Sequence, residues 1–198
     1  MRRAVLLLTV MGVTLILASG IALAAVVTCA SGATSCSGTS ADDQITGTDG
    51  HDVIFAQSGD DTVYAQGGSD YVSGSFGDDS LVGDSDISKF DGNDRIRGSS
   101  GNDVLDGFGG SDDLDGGSSA DEIYANEQTQ AYSGIDTVDG GSGSDYIYAV
   151  DGVVDNIDCG TGIDDEVDYD NGIDVVAANC EDQFPHTALQ RTLQKVVP

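Results

Sequence analysis

The chain of 198 residues carries 35 Asp or Glu against 7 Lys or Arg, a formal net charge of −28. This balance excludes nucleic acid as a partner, because phosphate binding relies on Lys and Arg displacing counterions. A polypeptide of such charge repels itself, so a compact fold calls for positive charge from outside the chain.

Arg2 and Arg3 precede an apolar run from Ala4 to Leu17, and Ala22-Leu23-Ala24 follows. A basic start, an apolar stretch and a small-x-small site make up a secretory signal peptide. Residues 1–24 are therefore expected to be cleaved and the remainder secreted to an extracellular, oxidising location. An uncleaved anchor is the alternative, because the run approaches the length of a span. No second apolar stretch follows, so no membrane span is expected in the mature chain, whose charge is −30 without Arg2 and Arg3. Residues 25–37, with Cys29 and Cys36, read as an N-terminal cap segment.

From Gly38 the sequence repeats every nine residues. GTSADDQIT, GTDGHDVIF, AQSGDDTVY, AQGGSDYVS and GSFGDDSLV run without interruption to Val82. DGNDRIR, GSSGNDVLD, GFGGSDDLD and GGSSADEIY end at Tyr124, AYSGIDTVD and GGSGSDYIY at Tyr148, and looser copies centre on Ile157, Val167 and Val176. A fixed short period marks a solenoid. Each unit has a small residue first, usually Gly fourth, Asp sixth and an aliphatic eighth. The fourth-position glycines, Gly50, Gly59, Gly68, Gly77, Gly92, Gly101, Gly110, Gly134 and Gly143, stand where a tight turn is expected to need positive φ. The triplet around the eighth position is one short strand. Ile45, Ile54, Val63, Val72, Leu81 and their successors point inward, and their neighbours, among them Thr62, Tyr64, Tyr71, Ser73, Arg95 and Arg97, face water.

Nine residues thus make one turn and one strand, and eighteen make one coil of an all-β, two-sheet parallel β-roll over residues 38–182. Its core is thin, with one aliphatic side chain per unit. The sixth-position Asp43, Asp52, Asp61, Asp70, Asp79, Asp94, Asp103, Asp112, Asp121, Asp136 and Asp145 line up as two columns at the turns. Carboxylates that recur at one turn position, and not at the solvent-facing seventh and ninth, require a cation between them.

These units resemble the RTX, or hemolysin-type, calcium-binding nonapeptide repeats, G-G-x-G-x-D-x-U-x, over roughly residues 38–182. The resemblance implies a parallel β-roll holding several calcium ions (Ca2+) between successive turns on the same side. The ligands it implies are the sixth-position Asp residues and backbone carbonyls of the turns, including those of the glycines named above. One side would then use Asp43, Asp61 and Asp79, and the other Asp52 and Asp70. Calcium suits such a set because it accepts six to eight oxygens in loose geometry. The regular copies depart from the family pattern in keeping a second-position Gly only at Gly117 and Gly141, and in replacing the fourth-position Gly by Ala41 and Ser119. Asp155, Asp165 and Asp174 keep the Asp-x-aliphatic spacing in irregular turns. The implied function is that of a secreted calcium-binding repeat protein that folds on binding. The alternative is a calcium-dependent cell-surface adhesin or glycan- or protein-binding module, with Tyr64, Tyr71, Tyr146 and Tyr148 as exposed contacts.

The aliphatic spacing rises to fifteen from Leu81 to Ile96 and from Ile123 to Val138, so six residues are inserted twice. Both insertions follow odd-numbered units and are expected to leave the same side of the roll, two coils apart. Insertions on one face are often the binding face; these contain Asp84, Asp86, Lys89 and Phe90, and Glu127, Gln128 and Gln130. Cys159 and Cys180 complete four cysteines, for which three disulfide pairings exist. The sequence-local pairing, Cys29 with Cys36 and Cys159 with Cys180, would staple both ends of the roll. A metal site is the rival, although no CxxC pair or nearby His supports it. The stretch IDCG…DDEVDYDNGIDVV…NCED also resembles the closing segment of exported actinobacterial proteins of this repeat type. Residues 183–198 form a C-terminal tail with Arg191 and Lys195, left open between a disordered end, a capping helix and a segment docked on the acidic roll. No enzyme is expected: there is no HExxH, no GxSxG and no segment of catalytic-domain size, His51 is a turn residue and His186 lies in the tail.

Overall fold

The computed structural model describes residues 7–10, 13–16, 24–31, 35–84, 92–126 and 134–187. Among them all regular elements are strands, and no helix is long and apolar enough to cross a membrane. Each unit supplies one strand and one turn, and successive strands fall alternately into two sheets. The first sheet stacks Val26–Thr28, Gln44–Thr48, Thr62–Gln66, Ser80–Asp84, Val104–Asp106, Glu122–Tyr124, Tyr146–Ala149, Glu166–Asp170 and Asp182–His186. The second stacks Cys36–Ser37, Val53–Ser58, Tyr71–Phe76, Arg95–Ser100, Asp113–Ser118, Thr137–Ser142, Asn156–Asp158 and Val175–Val176. Pairings among these strands are parallel, as a coil that always winds the same way demands. Leu7–Val10 and Val13–Ile16 add an antiparallel pair at the edge of the first sheet.

The eighth-position residues stand directly over one another. In the first sheet the row runs Val27, Ile45, Val63, Leu81, Leu105, Ile123, Ile147, Val167. In the second it runs Cys36, Ile54, Val72, Ile96, Leu114, Val138, Ile157, Val176. These two facing rows are the core, and first-position Ala56, Ala65, Ala125 and Ala149 fill its corners. Outward residues behave as their position dictates, except Ser73. It is shaded by its longer row neighbours Phe55 and Arg97, and its hydroxyl lies 3.2 Å from that of Ser75.

The insertions do not disturb this register. Val72 pairs with Ile96 and Leu81 with Leu105, so the extra residues are looped out and the aliphatic rows continue. Both insertions run from the first sheet to the second, one after Ser80–Asp84 and one after Glu122–Tyr124, with Val104–Asp106 between them. They therefore leave one side, two coils apart. Asp84 is not a loop residue: it ends its strand and is buried. Asp86, Lys89, Phe90, Glu127, Gln128 and Gln130 lie outside the described residues, as do Arg191 and Lys195.

The sequence-local disulfides form, Cys29–Cys36 with Cα atoms 5.5 Å apart and Cys159–Cys180 with 5.2 Å. They lie at opposite ends of the stack. Residues 25–37 contribute the first parallel strand of each sheet, and Asp182–His186 contributes the last of the first sheet, beside Glu166–Asp170.

The turns depart from expectation in one respect. Gly59, Gly68, Gly77, Gly101 and Gly110 have positive φ, but Gly50, Gly92, Gly134 and Gly143 do not. At the last three, close approach is what requires glycine: a Cβ would lie 2.1, 1.8 and 1.7 Å from the carbonyl oxygens of Gly68, Gly110 and Ser119. At Gly50 nothing stands closer than 3.9 Å. The left-handed backbone also recurs at the second position, where Gln57, Gln66, Ser75, Ser99 and Phe108 adopt φ of 61° to 86°.

Candidate metal centre

Stacking the coils turns the sixth-position Asp residues into two ladders. On one side, each backbone N–H donates to the Oδ1 of the Asp one coil further on: Asp43 to Asp61, Asp61 to Asp79, Asp79 to Asp103, Asp103 to Asp121 and Asp121 to Asp145, at 2.7–2.9 Å. On the other, Asp52 donates to Asp70, Asp70 to Asp94, Asp94 to Asp112 and Asp112 to Asp136. The irregular copies extend both ladders: Asp145 donates to Asp165, Asp136 to Asp155 and Asp155 to Asp174. All eleven predicted aspartates thus lie in two columns, each buried to 4% exposure or less.

Only one oxygen of each carboxylate is used in this way. The Oδ2 atoms of Asp61, Asp70, Asp79, Asp103, Asp112, Asp121, Asp136, Asp145, Asp155 and Asp165 are buried and meet no hydrogen-bond donor among the described residues. Asp43 and Asp52, in the first coil, differ. Their Oδ2 atoms accept the N–H groups of Thr39 and Thr48, and the Thr48 hydroxyl adds a bond of 2.9 Å to Asp52. A second-position backbone N–H, joined at Thr48 by the hydroxyl, satisfies there what the later coils leave open.

The electrostatics follow from this burial. Desolvation first, and neighbouring carboxylates after it, raise Asp112 to about 10 and Asp155 to about 8. They raise Asp61, Asp121 and Asp136 to about 7, and Asp70, Asp103 and Asp145 to about 6. The N–H donated to Oδ1 acts in the opposite sense in each. A buried carboxylate oxygen accepts only, so these columns are satisfied by a proton or a cation.

The donor set fits calcium. The Oδ2 atoms of Asp79, Asp103, Asp121 and Asp145 lie beside the first-position Gly of their own unit and a carbonyl of the next coil. A Cβ built on Gly98, for instance, would sit 2.3 Å from Asp103 Oδ2 and 2.6 Å from the Gly116 carbonyl oxygen. No three His, Cys, Asp or Glu side chains converge on one point among the described residues. An ion between coils would therefore draw its remaining ligands from backbone carbonyls, hard oxygens in loose geometry that suit calcium better than magnesium.

Three buried acids escaped the sequence reading as site residues. Asp84 and Asp170 occupy a second position, and Asp151 lies in a lengthened turn on the same side. Asp84 acts on Asp112, and Asp151 on Asp136 and Asp155, each raising its neighbour. Asp170 accepts the N–H groups of Asp151 and Gly152. Asp does not recur at the second position of the regular units, and Asp151 falls in an irregular one, so no periodic signal marks the three.

The family model of the RTX calcium-binding nonapeptide repeat matches four times, over residues 37–72, 64–86, 90–123 and 130–152, together more than half of the chain. Neither a curated protein nor a solved structure matches it. The matched segments contain every sixth-position Asp from Asp43 to Asp145, the same residues that the coil stacks into two buried columns. Period, fold and match agree, and this calcium-binding repeat protein belongs to the RTX nonapeptide-repeat family.

Proposed function

We propose that the mature chain is an exported, non-enzymatic calcium-binding roll that folds as it binds several calcium ions. The observation that carries this reading is the series of buried Oδ2 atoms without a donor. Asp61, Asp79, Asp103, Asp121 and Asp145 would serve one column, and Asp70, Asp94, Asp112 and Asp136 the other. Turn carbonyls, including those of the fourth-position glycines, complete each set. Asp43 and Asp52 would close the first coil with help from Thr39 and Thr48. When bound, calcium supplies the positive charge that a chain of net charge −28 lacks. The residues themselves space the ladders, hold each Oδ1 on a backbone N–H and leave Oδ2 aimed between coils. Because these contacts exist only in the stacked state, ion binding and folding form one process. Export follows from the leader-like residues 1–24, and the two disulfides suit an oxidising destination.

Far-ultraviolet circular dichroism of residues 25–198 tests the coupling. In chelator at neutral pH the spectrum should be that of a coil. Millimolar-range calcium should convert it to β structure, and magnesium should do so much less. A roll already formed in chelator, or an equal response to magnesium, would overturn the reading.

A further inference from the structure

The outer face of the first sheet carries a cleft of about 340 Å³, lined by Asp106, Phe108, Tyr124, Asn126, Tyr146 and Tyr148. Strand register builds its floor. Asp106, Tyr124 and Tyr148 are successive partners in one outward row, and Tyr146 precedes Tyr148 by two residues and faces the same way. Phe108 comes from the following turn, with φ of 61°, at a second position where the neighbouring units carry Ser99 and Gly117.

The rings are pinned by carboxylates. Tyr124 donates its hydroxyl to Glu122, Tyr146 donates to Asp168 at 2.8 Å, and the Tyr124 and Tyr148 rings lie 6.4 Å apart, tilted by 55°. The Tyr124 and Tyr146 hydroxyls are thereby engaged, so the cleft offers mainly ring surface and the Asp106 carboxylate. No Lys or Arg of the described residues lies in this sheet. Arg95 and Arg97 are in the other sheet, paired with Asp113 and Asp115. Aromatic faces beside a carboxylate, in a strongly acidic chain without local positive charge, are complementary to an organic cation.

We propose that this cleft binds the cationic head of an organic ligand, an alkylammonium or guanidinium group, among the rings of Phe108, Tyr124, Tyr146 and Tyr148, with Asp106 as counter-charge. Both insertions leave the roll at its rim. The second departs directly after Asn126, and the first after Asp84, whose N–H donates to the carbonyl of Gly107 next to Phe108. This ligand is additional to calcium and is recognised by side chains that take no part in the Asp columns.

Isothermal titration of the calcium-loaded mature chain with choline, N-acetyl-arginine amide and neutral maltotriose, at fixed calcium and ionic strength, tests the proposal. One of the two cations should bind at one site per chain, and which of them binds identifies the head. Tyr148→Leu, Phe108→Gly and Asp106→Asn should each weaken it by about tenfold or more. Tyr64→Leu, on the same face outside the cleft, should leave it unchanged. Phe108→Gly places glycine at a positive φ and so removes the ring without straining the turn. Circular dichroism of each variant in calcium separates loss of the cleft from loss of the roll. Binding of maltotriose without either cation would overturn the proposal, as would binding of none of the three. Cation binding that survives Asp106→Asn and Tyr148→Leu would overturn it too, because it would show diffuse attraction to the acidic surface.

Discussion

Replacing Asp112 by Asn should shift folding in opposite directions with and without calcium. Asp112 is 2% exposed, its Oδ1 accepts the Asp94 N–H at 2.8 Å, and its Oδ2 has no donor among the described residues. Burial, and then the Asp136 carboxylate, raise its pKa from 3.8 to about 10. The metal-free roll therefore holds Asp112 protonated at pH 7, whereas the unfolded chain ionises it. That difference of about 3 pH units, at about 1.4 kcal/mol each, destabilises the metal-free roll by up to about 4 kcal/mol at this residue. Asn keeps the acceptor for Asp94 and removes the charge. In chelator at neutral pH, Asp112→Asn should increase the β signal in circular dichroism. In a calcium titration the same variant lacks a charged ligand, and its folding midpoint should rise on the order of tenfold. If the variant were less structured than the parent in chelator as well as in calcium, the charge argument would be wrong.

The raised values of Asp61, Asp112, Asp121, Asp136 and Asp155, about 7 to about 10, fix the sign of the pH dependence. A carboxylate raised on folding contributes stability below its unfolded pKa and loses it as pH rises through the folded value. The metal-free chain should therefore gain β structure when acidified from about pH 8 to about pH 4, and a loss on acidification would contradict this. Gly143→Ala places a Cβ 1.7 Å from the Ser119 carbonyl oxygen, so thermal melts of the calcium-loaded protein should show a loss of about 3 kcal/mol or more. Gly50→Ala, with open space around it, should change the same melts by less than about 0.5 kcal/mol. Replacing Cys159 and Cys180 together by Ser should cost about 2–4 kcal/mol, and hydrogen exchange should accelerate first in residues 155–186.

The roll was legible because a strand of three residues leaves one inward side chain, and its recurrence from Ile45 to Val167 specifies register without any long-range information. The insertions were legible for the same reason. A change of spacing at Leu81 and Ile123 cannot move the rows, so the extra residues must loop out. The fifth position shows where the pattern fails. Side chains of Asp42, Asp60, Asp78 and Asn102 accept the N–H of the fifth-position residue one coil on, and Ser69, Asn93 and Ser111 do the same on the other side. What repeats there is an acceptor oxygen supplied by different residue types, so a pattern of residue names misses it. Asp84, Asp151 and Asp170 were illegible for another reason: their burial depends on which coil lies beside them.

The two sets of ladders run in opposite senses, and this explains why an oxygen is left for a proton or a cation at the sixth position rather than the fifth. In the fifth-position ladder the side chain of the earlier coil accepts from the later one, close to solvent, where a second oxygen can be hydrated. In the sixth-position ladder the side chain of the later coil accepts from the earlier one, and its second oxygen turns toward the first-position residue instead. That residue is Gly or Ala in the regular coils because the oxygen occupies the space a larger side chain would need, as the 2.3 Å from a Gly107 Cβ to Asp112 Oδ2 shows. The arrangement that joins the coils therefore also strands acceptors in dry places in both columns, as at Asp61 and Asp70. Thr39 and Thr48 show the alternative, a local donor that satisfies the same oxygen. The donor is the backbone N–H in both, joined by the hydroxyl at Thr48, and neither Thr has a positive φ. The later coils instead carry Gln57, Gln66, Ser75 and Ser99 at the second position in the left-handed region, and these coils leave Asp61, Asp70, Asp79 and Asp103 open to a cation.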